Sequence, residues 1–142
     1  MTTFEDELRT HGYLVYKNKG SSMLPLLREN RDLMVIRAKT EGFRKNDAVL
    51  YRRASGQYIL HRITRVNGDG TYLIIGDNCI EKELVRADQL MGILTEFRRD
   101  GKTTSVSHPL YRLYVVLLPV RRVFLRLRRC LRCFAKKLLG RT

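Results

Sequence analysis

The chain has 142 residues, 44% of them hydrophobic, which suits one domain with a real core and excludes wholesale disorder. Its 28 Lys and Arg outnumber 14 Asp and Glu, for a formal net charge of +14, an excess that calls for an anionic partner or surface. Three cysteines exclude a disulfide framework; Cys130 and Cys133 have metal-like spacing, but no second Cys/His pair completes a zinc site, so no metal or cofactor is expected.

The opening stretch, MTTFEDELRTHGYLVY, holds acids and no apolar core, so it does not read as a secretory signal. Residues 3–11 suit one or two turns of helix, opened by Thr3 with acids in the first turn. The period then changes to two. Residues 13–16, 33–38, 48–53, 57–66, 71–75 and 92–97 are β-branched and aromatic runs separated by turn signals such as ENRD, RKND, ASG, NGDG and GDN. This spacing predicts a mainly β fold, an all-β sandwich or distorted barrel, over residues 1–108.

Between the first two runs lies KGSSMLPLLREN, residues 19–30. Two small hydroxyl residues beside a glycine and a proline fit a turn; they also fit a nucleophile held at a strand end. Met23 and Pro25 suit either core packing and strand termination or the wall of a shallow apolar groove.

Residues 48–75 form a three-strand meander with loops ASG and NGDG. On its middle strand Tyr58, Leu60, Arg62 and Thr64 point one way, and Ile59, His61, Ile63 and Arg65 the other. If Val66 pairs with Thr71, His61 falls opposite Gly76, with Asp77 next along the chain. Strict alternation turns Asp77 to the other face; a bulge or a shifted register would bring it to His61.

A serine hydroxyl needs a base to take its proton, and a carboxylate behind a histidine fixes the tautomer and stabilises the imidazolium. His61 sits on an inward strand face with an acid at the adjacent strand end. His11, by the terminal helix, and His108, before Pro109, are less well placed. Spacing alone leaves His61 open to a second reading, a satisfied core histidine.

GSSMLPLL, DLMVIRA (32–38), KNDAVLYRR (45–53), YILHRITRV (58–66) and GDNCIEKE (76–83) occur in the order seen in the signal peptidase I and SOS-repressor superfamily of serine peptidases. The chain resembles that superfamily over about residues 18–97, and its histidine resembles the Ser–His members of the endoplasmic-reticulum and sporulation types. The resemblance implies a peptidase-like distorted β-sandwich or barrel, with Ser22 as nucleophile and His61 as general base. It implies Asp77 first and Glu83 second as the acid that orients the histidine, and Gly20, Ser21, Met23 and Pro25 as the substrate-binding surround. The implied reaction is endoproteolysis of a peptide or protein precursor through an acyl-enzyme. The N-terminal membrane anchor of signal peptidases has no counterpart before Ser22, and residues 1–21 leave no room for a repressor's helix-turn-helix domain. The alternative is a non-catalytic peptide- or membrane-binding module on the same fold.

Residues 109–142 differ in kind: ten Lys and Arg and no acid. Leu113, Leu117, Val120, Phe124, Leu127, Leu131, Phe134 and Leu138 recur every three or four residues, the stripe of a basic amphipathic helix that Pro119 should kink or begin. No stretch approaches 18 apolar residues, so the expected location is cytoplasmic, peripheral on the inner face of the membrane if the stripe meets lipid. The stripe has three readings: an anionic membrane surface, a protein partner (its own domain or a second copy), or nucleic acid. Nucleic acid needs no apolar stripe and fits least.

Overall fold

The computed structural model describes residues 2–140. A short helix, α1 (Phe4–His11), opens it. The Thr3 hydroxyl accepts the Asp6 N–H at 3.2 Å and the Asp6 carboxylate accepts the Thr3 N–H at 3.3 Å, a reciprocal cap of the exposed donors. Gly12, at φ 74°, ends the helix in the left-handed region and turns the chain into the sheet.

Eight strands follow: β1 (Tyr13–Lys17), β2 (Leu33–Ala38), β3 (Ala48–Arg52), β4 (Tyr58–Val66), β5 (Thr71–Ile75), β6 (Glu83–Arg86), β7 (Leu90–Arg99) and β8 (Lys102–Ser105). All pairings are antiparallel, in the order β1-β2-β7-β3-β4-β5-β6, with β8 alongside β7. The sheet does not close, and its shape is that of a distorted β-sandwich or open barrel. The six strands expected from period-two runs are present; β6 and β8 are additional.

The sheet buries both faces at its centre. Leu50 and Leu60 join Leu14, Met34, Ile36, Leu94 and Phe97 in one cluster, while Val49, Tyr51, Ile63, Ile74, Val85 and Leu90 form a second. Neighbours on β3 thus go to opposite cores, as a pleated strand requires. Each fully buried aliphatic side chain contributes about 1.5–3 kcal/mol. His61 lies on the second cluster's side and Arg62 on the first's.

The β4–β5 hairpin departs from the simplest register. Val66 pairs with Tyr72, not Thr71, and Arg65 with Leu73. A bulge at Thr64 then returns Ile63 to Ile74 and Arg62 to Ile75, so continuing the ladder sets His61 beside Gly76 after all. The Thr64 hydroxyl donates to the Leu73 carbonyl at 3.0 Å, occupying an acceptor at the irregularity.

The basic tail is a single helix, α2 (Pro109–Leu139), which runs through Pro119 instead of starting there. Pro109 occupies the first turn, where a missing N–H costs nothing, and the His108 ring accepts the Leu110 N–H at 3.2 Å. The face that meets the sheet is not the apolar stripe. Tyr111, Tyr114, Leu118, Arg121 and Arg122 turn inward, and all eight stripe residues are exposed. The reading in which the stripe packs on its own domain is therefore corrected. The inward face is polar because Tyr114 donates to the buried Asp77 carboxylate and Arg121 to the Leu24 carbonyl, groups that leucines would leave with fewer partners.

Candidate active site

Ser22 lies in a turn between β1 and β2 that is pinned from several sides. Buried Asn18 donates its side-chain amide to the carbonyls of Gly20 (3.1 Å) and Leu27 (3.4 Å). Arg99, from β7, donates to the carbonyls of Pro25 (3.1 Å) and Leu26 (2.7 Å), and itself pairs with Asp32. Met23 is 1% exposed and packs in the first core cluster with Leu26 and Leu27, so its side chain anchors the turn and does not wall a groove. Gly20 adopts φ 91°, a conformation that favours glycine, and its N–H reaches the Glu29 carboxylate at 3.1 Å. Ser21 and Pro25 are exposed.

The second loop, residues 76–79, joins this turn. The Asn78 N–H donates to the Ser22 carbonyl at 2.7 Å, and its side-chain amide to the Ser21 carbonyl at 3.2 Å. Gly76 makes the approach possible. A Cβ there would lie 2.8 Å from the Ser22 carbonyl oxygen, 3.1 Å from His61 Nε2 and 2.7 Å from Cys79 Sγ. Because the first two distances share one point, the Ser22 carbonyl oxygen and His61 Nε2 are no more than about 6 Å apart. Nε2 is therefore the nitrogen on the serine side.

Nδ1 faces the other way. It lies 3.3 Å from the Tyr51 hydroxyl and 3.9 Å from Glu83 Oε1. Tyr51 reaches it diagonally, since Val49 is the residue directly opposite His61. Glu83 is held in turn by Arg53, whose Nε donates to Oε2 at 2.9 Å and whose Nη2 meets Oε1. Burial pushes the His61 pKa below its ordinary value; Glu83 pulls it back up and Arg53 opposes that. The hydrogen bond from Arg53 keeps Glu83 below the usual carboxylate range. Burial, with Glu83 nearby, raises the Tyr51 phenol. The site at neutral pH is thus an uncharged imidazole with a phenol and an ionised carboxylate both at its Nδ1.

Asp77 occupies a different place. Its two oxygens accept from Arg62 Nε and Nη2 at 2.8 Å each, and Oδ2 also accepts the Tyr114 hydroxyl at 2.9 Å. Arg122 Nη2 lies 4.0 Å from Oδ1. Asp77 comes within ion-pair distance of these arginines and not of His61. The order expected for the orienting acid is thus reversed in space: Glu83 is the carboxylate at Nδ1. Alternation explains it. Gly76 lies beside His61, so Asp77, one residue on, turns to the face of Arg62. Burial works against the Arg62 charge, but Asp77 outweighs it and the guanidinium stays protonated.

The inward face of α2 completes the frame. Arg121 Nη2 donates to the Leu24 carbonyl at 3.2 Å and to Asn78 Oδ1 at 3.0 Å, so one guanidinium clasps both loops. Beside Ser22 opens a cleft of about 310 Å³, walled by Tyr16, Met34, Leu50, Tyr58 and Leu60 among others. Of the expected serine-loop residues, only Ser22 lines it. No protein acceptor takes the N–H of Ser22 or Met23 among the described residues. No cluster of metal-ligating side chains occurs among the described residues either.

Tyr51 and Arg121 were not singled out from the sequence. Tyr51 carries a signal, a lone phenol after three apolar residues of β3 and two residues from His61's partner. Arg121 carried none, since nothing local ties it to residues 97 positions away. No protein-family model matches the chain, and no curated protein matches it significantly.

Proposed function

We propose that the protein is a serine endopeptidase in which Ser22 is the nucleophile, His61 the general base and Glu83, with Tyr51, the group that orients the imidazole. The observation that carries this reading is the orientation of His61, with Nε2 toward the serine turn and Nδ1 toward Tyr51 and Glu83. A core histidine has no need of a glycine that lets its free nitrogen approach a serine backbone. The resemblance of the serine, histidine and Gly-Asp-Asn segments to Ser–His signal peptidases supports the same assignment.

Ser22 Oγ attacks the carbonyl carbon of an extended peptide lying along the adjacent cleft. Its proton passes to His61 Nε2 as the carbon–oxygen bond forms, and the carbonyl π electrons move to oxygen. This reading assigns the uncommitted N–H groups of Ser22 and Met23 to that oxyanion, an effect of about 3–4 kcal/mol per donor. His61 returns the proton to the leaving amine as the C–N bond breaks. Water then repeats the attack on the ester, again through Nε2, and releases the acid and Ser22. Asp77, tied to Arg62, holds the Gly76 loop in place and takes no proton.

The cytoplasm, on the inner side of the membrane, belongs to the same reading, and the free thiols of Cys79, Cys130 and Cys133 accord with a reducing compartment. No helix among the described residues is long and apolar enough to cross a membrane.

The test is a serine-directed phosphonylating probe read by intact-mass spectrometry. Labelling of the wild type at Ser22, lost in both Ser22→Ala and His61→Ala, is the expected result. Folded protein that takes no label overturns the peptidase and leaves a peptide-binding module on this fold.

A further inference from the structure

Among the described residues, nothing covers the apolar stripe on the outward face of α2. With 3.6 residues per turn, its eight stripe residues, Leu113 to Leu138, fall within an arc of about 100°. Each is at least 51% exposed. Val116 and Val123 widen the band and are exposed as well. A band of this length exceeds the scattered apolar residues that a soluble monomer shows to water.

Charge complementarity points to what covers it. Arg128 and Arg132 border one side of the stripe and Arg112, Arg126 and Lys137 the other, all exposed. The whole of 109–142 contains no acid. An apolar band between two rows of bases matches acyl chains below anionic headgroups, because arginine and lysine stems can lie along the band with their charges at phosphate level. A second copy of the same helix would set base against base along both borders. From Cys130 to Gly140 every residue is exposed, so this end of the helix extends beyond the sheet and can lie flat on a planar surface.

We propose that α2 seats the protein in the plane of an anionic lipid bilayer, stripe down, with the β-sheet on the aqueous side. The inward face carries the consequence for the site. Arg121 clasps Leu24 and Asn78, and Arg129 pairs with Glu81, so the membrane-seated helix directly holds the serine turn and the Gly76 loop. Ser22 is then held beside the headgroups, and the chain it cleaves is one presented at the membrane surface. This last clause rests on the peptidase reading; the seating does not.

Co-sedimentation with vesicles tests the seating. The full chain should bind phosphatidylglycerol–phosphatidylcholine vesicles at least about tenfold more strongly than pure phosphatidylcholine vesicles, with the preference falling as salt rises. Phe124→Ser with Leu131→Ser, at side chains that touch no part of the sheet, should lose about tenfold or more on anionic vesicles while keeping the wild-type circular dichroism. Arg126→Gln, Arg132→Gln and Lys137→Gln together should reduce the anionic preference and leave residual binding. Ser22→Ala should bind like the wild type, so a failure of the peptidase reading leaves this result untouched. Equal binding to neutral vesicles, or no vesicle binding at all, overturns the proposal. A sedimenting dimer that Phe124→Ser/Leu131→Ser dissolves would make a second copy the occupant, and retention on DNA without vesicle binding would make it nucleic acid; either overturns it.

Discussion

Tyr51 and His61 meet across the β3–β4 ladder with a phenol oxygen 3.3 Å from Nδ1, and Glu83 stands behind them at 3.9 Å from the same nitrogen. The imidazole is therefore oriented from one side only, which leaves Nε2 to the serine turn. Removing the phenol oxygen in Tyr51→Phe keeps the packing and deletes one buried hydrogen bond, a change of about 1 kcal/mol in stability. Probe labelling at Ser22 should slow by about tenfold, less than the roughly 10²–10⁴-fold that a general base contributes and so less than in His61→Ala. Rate of label uptake against a denaturation curve separates the two effects.

The acid limb of the labelling rate should lie below the ordinary histidine pKa of about 6.5, because burial favours the neutral ring. Glu83 stabilises the imidazolium, so Glu83→Gln should move the limb further down, and the unpaired Arg53 adds to that shift. NMR titration of His61 provides the check: a wild-type midpoint at or above 6.5 contradicts the burial argument. The same shift has a linked effect on folding. With the folded pKa below the unfolded one, the unfolded state binds more protons between the two values. Stability is full above about pH 6.5 and falls as pH drops through that window, levelling below the folded pKa.

Gly76→Ala should be costly out of proportion to one methyl group. The added carbon would stand 2.8 Å from a backbone oxygen, which can yield only if the serine turn moves. We expect about 1–3 kcal/mol of destabilisation and a marked loss of Ser22 labelling in the protein that still folds. Normal labelling in a fully stable variant would show that the turn and His61 have more room than these contacts allow.

Asp77→Ala should act on stability first. It leaves Arg62, 1% exposed, as an unpaired buried charge, with Arg122 close by, at about 3–5 kcal/mol. A double replacement, Arg62→Met with Asp77→Leu, removes both charges and should recover much of that loss in urea unfolding. The pH midpoint of labelling in this double variant should fall only slightly, because Asp77 acts on His61 less than Glu83 does, whereas loss of an orienting acid would shift it further.

The sequence made part of this site legible, for reasons tied to particular residues. Period-two runs located β1 to β5 and β7 because their buried faces are β-branched and aromatic. β6 (Glu83–Arg86) and β8 (Lys102–Ser105) escape because each is four residues long: β8 is wholly polar, and in β6 the one buried residue, Val85, is too little to show a period. The alternation of β4 already separated His61 from Arg62. The local pattern did not reveal that Arg62 would claim Asp77, since a buried arginine's partner is set by the crossing of strands in space. The stripe on α2 was legible as a period, but its direction was not: the inward face is defined by tyrosines and arginines whose partners lie in the first eighty residues.

Arg121 touches Leu24 across 97 positions of chain and Asn78 across 43. During synthesis the sheet's strands emerge well before this guanidinium does, and local hairpins form faster than contacts that close so long a loop. The last piece of the serine turn's support is thus also the last to leave the ribosome, and a nascent β-domain passes through a stage in which its strands are paired while its serine loop is still unclasped.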